Sequence, residues 1–89
     1  MDDRTSWEIA ETLVGLLPEE DDFRDIAETD IEGGEYESAV FVALEGLSEH
    51  KISVPSALLG SAREICRRRW TGSPSMITLV EANIKQIAS

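Results

Sequence analysis

The chain contains one cysteine, Cys66, and one histidine, His50, among 89 residues. A lone cysteine excludes an intrachain disulfide framework and suits a reducing compartment. The two residues together fall short of a zinc site, which takes four protein ligands, or three and a water. They stand sixteen positions apart, so a Cys–His nucleophile pair would depend on a chance contact. Cys66 on an apolar stripe reads as packing, and His50 near a helix end as a cap that complements the dipole. Long apolar runs are also missing. The longest is the six residues from Ala39 to Leu44, far too short to span a bilayer. Met1-Asp2-Asp3-Arg4 lacks the basic and apolar regions of a secretory signal. The expectation is a cytoplasmic protein with no membrane attachment.

Positive charge is scarce too: eight Lys and Arg face eighteen Asp and Glu, for a net charge of −10. Its distribution is uneven. Residues 1–50 hold sixteen carboxylates against Arg4 and Arg24, a net of −14, whereas residues 51–89 carry a net of +4. Such a field repels nucleic acid and anionic membranes and steers a basic partner. The plainer account is that the acidic charge serves solubility alone.

What is present is helical periodicity. Thr5-Ser6-Trp7-Glu8 fits a capping box. Trp7, Ala10, Val14 and Leu17, thickened by Leu13, predict a first helix over about residues 6–17, closed by Gly15 and Pro18. The run Glu19-Glu20-Asp21-Asp22 precedes a second helix, where the macrodipole favours anions. Phe23, Ile26, Ala27 and Ile31 form its expected inner stripe, and Gly33-Gly34 its stop. Asp21, Asp25, Glu28 and Glu32 follow one another on its outer side, with only Arg24 nearby to offset them. Like charges at this spacing destabilise an isolated helix by a few tenths of a kcal/mol per pair, a cost that argues for a function.

A third helix is expected over about residues 35–49, with Tyr36, Ala39, Val40, Ala43, Leu44 and Leu47 on one face and Phe41 and Val42 on the opposite side. Six consecutive apolar residues also fit a buried strand; the continuation to Leu47 and the flanking glutamates favour helix. Apolar nearly all round, this helix is expected at the centre of its bundle. Ser53 is the candidate cap of a fourth helix, residues 55–69, built on Leu58, Leu59, Ala62, Ile65 and Cys66. Ser73-Pro74 opens a fifth helix marked by Met76, Ile77, Val80, Ile84 and Ile87. The fold class that follows is all-α, a compact bundle of about five short helices in a single domain over residues 1–89.

Catalytic constellations are not found. Gly33-Gly34 lacks the lysine and spacing of a phosphate loop. The stretch from Glu20 to Glu32 has no glycine at the sixth position of a calcium loop. A convex acidic face offers no cleft for paired-carboxylate glycoside hydrolysis. Arg67-Arg68-Arg69-Trp70 has the ingredients of an RNA contact, but in so negative a field it reads as a helix end pairing with the protein's own carboxylates. No enzyme activity, cofactor or metal is expected.

The stretch Asp30-Ile31-Glu32-Gly33-Gly34-Glu35-Tyr36-Glu37-Ser38-Ala39, followed by Leu44, Leu47, Glu49, Ile52 and Pro55, resembles the centre of the MafI-type immunity proteins of polymorphic and contact-dependent toxin systems. The likeness covers about residues 26–59, and Val40-Phe41-Val42 departs from the usual Leu/Glu-containing continuation. The resemblance implies a helical, non-catalytic inhibitor that neutralises a cognate toxin. Toxins that cut nucleic acid hold phosphates in basic clefts, and a rigid acidic helix face would associate with such a cleft under electrostatic steering. Asp21, Asp22, Asp25, Glu28, Glu32, Glu35 and Tyr36 are the candidate partner-binding residues. The Tyr36 ring serves as an anchor or belongs to the core with its hydroxyl exposed. The alternative is an acidic adaptor or regulatory subunit for an unrelated basic protein. Phe41 and Val42 leave both a monomer and a homodimer open.

Overall fold

The computed structural model describes residues 3–88. It contains five helices: α1 (Asp3–Val14), α2 (Asp22–Glu32), α3 (Tyr36–Glu49), α4 (Ser56–Arg69) and α5 (Pro74–Ala88). No strand occurs among the described residues. The radius of gyration is 11.6 Å, against about 12 Å for a compact chain of this length. The buried apolar side chains join one cluster. The all-α bundle expected from periodicity is the architecture observed.

The third helix is the hub. It touches each of the other four helices, whereas α2 touches only α1 and α3. Ala39, Val40, Ala43, Leu44 and Leu47 are fully buried. Phe41 and Val42 are half-buried and pack against the core from its edge, with Phe41 tilted against Trp70 at 5.3 Å between ring centres. Small residues let neighbours come close. At Gly46, a Cβ would lie 2.7 Å from Phe23 Cβ and 2.9 Å from Leu17 Cδ2, so α2 and the α1–α2 turn lie against the backbone of α3 itself.

Two helices end in the same way. Gly34, at φ +78°, closes α2: its N–H reaches the Ile31 carbonyl at 3.0 Å, and the Glu35 N–H reaches Asp30 at 2.8 Å. These paired bonds satisfy orphan carbonyls at the helix end. The same pair recurs after α3, from Lys51 to Ser48 and from Ile52 to Leu47. There the left-handed position is held by Lys51 at φ +54°, an uncommon conformation for a residue with a Cβ.

Several boundaries and faces differ from expectation. Helix α1 begins at Asp3 and ends at Val14, so Thr5 lies inside the first turn rather than capping it. Leu17 is buried from a turn, not from a helix. The buried face of α1 runs through Ser6, Ala10 and Leu13, leaving Trp7 42% exposed. In α2 the inward residues are Phe23, Ala27 and Ile31, and Ile26 is 52% exposed. Ser53 does not cap α4; Pro55 occupies that place without a side-chain bond, and its carbonyl accepts from Leu59 N–H at 3.1 Å. Pro74 opens α5 as expected, after a Ser73 carbonyl bonded to Ile77 N–H at 3.1 Å.

Candidate functional site

At 100° per residue, Asp22, Asp25, Thr29 and Glu32 fall within an arc of about 80° on α2, with Ile26 and Glu28 on its two margins. All six are exposed. Glu35, just beyond the Gly33-Gly34 corner, is exposed as well, and Tyr36 is half-buried. Five of the seven expected residues, Asp22, Asp25, Glu28, Glu32 and Glu35, therefore carry their carboxylates at the surface of one helix and its C-terminal corner.

Asp21 stands apart from them. Its side chain is 9% exposed and is in hydrogen-bond contact with His50 Nε2, and it also caps α2 by accepting the Arg24 N–H at 3.2 Å. Burial pushes the Asp21 carboxyl up, but His50 and the amides of Arg24 and Phe23 outweigh it and hold the group below the usual carboxylate range. His50 is the C-cap residue of α3. The pair thus fastens the start of α2 to the end of α3. A second tie comes from Arg24, whose guanidinium donates to the Leu17 carbonyl at 2.7 Å and to Glu28 Oε1 at 2.7 Å. The acidic helix is held to its neighbours through these polar groups at its N-terminal end.

Asp30, not anticipated as part of the face, is half-buried, and desolvation followed by repulsion from Glu35 raises its carboxyl above the ordinary value. These two acids bring negative charge together at the α2–α3 corner. Between α1 and α2 lies a groove of about 230 Å³. Glu11, Glu28 and Glu32 line it together with Arg24, and Val14 and Ile31 supply its apolar part. Glu11 is the residue that sequence periodicity could not have joined to the face, because it belongs to a different helix.

The remaining chemistry-bearing residues are engaged elsewhere. Cys66 is fully buried in α4 and burial pushes its thiol up to about 12. Arg67 pairs with Glu81 at 3.4 Å, Arg68 with Glu64 at 3.2 Å, and Arg69 lies over the Trp70 ring at 5.3 Å. The arginine triplet has partners within the chain. Among the described residues, no group of three or more His, Cys, Asp or Glu is arranged to hold a metal ion, and no helix is long and apolar enough to cross a membrane. No family model matches the chain, and neither a curated protein nor a solved structure resembles it significantly.

Proposed function

We propose that this chain is an immunity protein, a stoichiometric inhibitor that binds a basic, nuclease-type toxin and covers its active-site cleft. The observation that carries the reading is the clamped acidic helix: Asp22, Asp25, Glu28 and Glu32 stand exposed on α2, while Arg24 and Asp21 fix that helix to the α1–α2 turn and to the C-cap of α3. Anionic side chains already in place meet a phosphate-binding cleft without the ordering cost that a flexible acidic tail would incur. The resemblance of residues 26–59 to MafI-type immunity proteins points to the same partner class, a cognate toxin acting in the cytoplasm. The inhibitor performs no chemistry.

The direct test is co-expression with the toxic domain encoded by a neighbouring reading frame. Cells making both proteins should survive, and death of the doubly expressing cells would sink the proposal. In vitro, reversing Asp25, Glu28 and Glu32 to lysine should slow association about tenfold or more at low salt, with the difference shrinking as salt screens the field. Unchanged on-rates would reduce the acidic face to a solvated surface. Survival with a toxin that is not a nuclease would keep the inhibitor and change the target.

A further inference from the structure

The groove between α1 and α2 brings three features together. It has an apolar part, Val14 and Ile31, below carboxylates contributed by both helices. Its one internal cation, Arg24, is already bonded to Glu28 and to the Leu17 carbonyl, which leaves Glu11 and Glu32 without an ion-pair partner among the described residues. One helical turn before Glu11, on the same side of α1, stands Trp7, exposed despite its size. The volume of about 230 Å³ holds several waters of about 30 Å³ each, enough for one long side chain and too little for a peptide segment.

We propose that this groove is a slot for a single arginine side chain of the basic partner. The inference rests on the function proposed above and names the group by which the partner is anchored. An arginine carries an apolar stem that covers Val14 and Ile31 and a planar cation that places donors against carboxylates. Its guanidinium is weakly hydrated and stacks on aromatic faces, so an exposed Trp7 one turn from Glu11 favours it over the compact, strongly hydrated ammonium of lysine. Arginine is also among the side chains on which protein interfaces concentrate their binding energy. The open carboxylates of α2 steer the partner, and the slot fixes its register.

The slot can be tested without the toxin. N-acetyl-arginine amide added to the full chain should shift the backbone amide signals of Glu11, Gly15 and Glu32 and the indole N–H of Trp7, with a dissociation constant on the order of 10 mM or tighter. N-acetyl-citrulline amide, which has the same shape and no charge, should shift none of them. The double variant Glu11→Gln, Glu32→Gln should weaken the arginine response about tenfold, whereas Asp22→Asn, Asp25→Asn, with the same change in net charge, should leave it in place. The proposal is overturned if no localised shift is seen, if the two double variants weaken the response equally, or if N-acetyl-lysine amide binds as well as the arginine compound. Failure here with survival in the co-expression test removes the slot alone; the converse removes the toxin and leaves a cation-binding groove.

Discussion

Replacing Gly46 by alanine puts a methyl group where α3 and α2 leave no room for one. The new Cβ would lie 2.7 Å from Phe23 Cβ, 2.9 Å from Leu17 Cδ2 and 3.1 Å from Phe23 Cγ, against about 3.5–4.0 Å for relaxed carbon contacts. Leu17 Cδ2 is the end of a flexible chain and can turn away. Phe23 Cβ is fixed to the backbone of α2, so relief requires that helix to retreat by roughly 1 Å. Retreat is resisted close by, at the Arg24–Leu17 and Asp21–His50 ties. Overpacking of this kind costs about 1–3 kcal/mol, while alanine in place of glycine inside a helix returns about 0.8–1.0 kcal/mol. The expected net is a loss of up to about 2 kcal/mol, with about 1 kcal/mol at the middle of the range. Gly60 provides the control, because it lies inside α4, is exposed, and would meet nothing within 4 Å. Gly60→Ala should therefore gain about 0.8–1.0 kcal/mol. Thermal melts followed by circular dichroism should move in opposite directions, by about 4–8 °C for each kcal/mol. If Gly46→Ala raises the melting temperature as far as Gly60→Ala does, α2 does not sit against α3 at this point.

Two further outcomes follow from the helix ends. Lys51→Gly removes a Cβ from a left-handed residue and should raise the denaturant midpoint by the equivalent of about 0.5–1 kcal/mol; an unchanged midpoint would show that the lysine is unstrained there. The acid profile of stability should have a maximum. Asp30 and Glu45 have carboxyls raised by burial, with Glu35 adding to the shift at Asp30. Their ionised forms are disfavoured in the fold, and that penalty lifts as pH falls from neutrality toward the ordinary glutamate value of 4.5. Asp21 acts in the opposite sense: its contribution is present above the ordinary aspartate value of 3.8 and is lost as pH falls through its lowered folded value. Asp21→Asn keeps a capping side chain and should flatten the acid limb, and Asp30→Asn should flatten the rise before it. Urea titrations at stepped pH measure both, and a monotonic fall from neutrality would contradict the assignment.

The five helices were legible because their boundaries carry chemical marks: Pro18 and Gly33-Gly34 follow a helix end, and Pro55 and Pro74 stand at a helix start. The sides of the helices were less so. Period 3.6 identifies a stripe but not its margin, and a helix with only two neighbours buries a narrow one. In α2 the run Phe23, Ala27, Ile31 suffices, and Ile26, equally apolar, is left outside. Trp7 stays at the surface for a similar reason, because the small residues Ser6 and Ala10 take the buried side of α1. The end of α1 was misplaced since Leu17 keeps the helical apolar period while standing in a turn. At the candidate site, Asp21 reads as one more acid of the stripe until its partner is known, and that partner, His50, lies 29 positions away. Contacts at that separation are a property of the packed chain, and the groove that adds Glu11 to the acidic surface is of the same kind.

The central position of α3 also determines how the molecule comes apart. Helices α1 and α2 touch each other, as do α4 and α5, yet each pair completes its burial on α3. Neither half holds a core that would persist after α3 withdrew, so partial unfolding has no stable resting place. Loss of structure is then a single cooperative event, and a disturbance on either side of the hub is felt as a loss of stability in the whole.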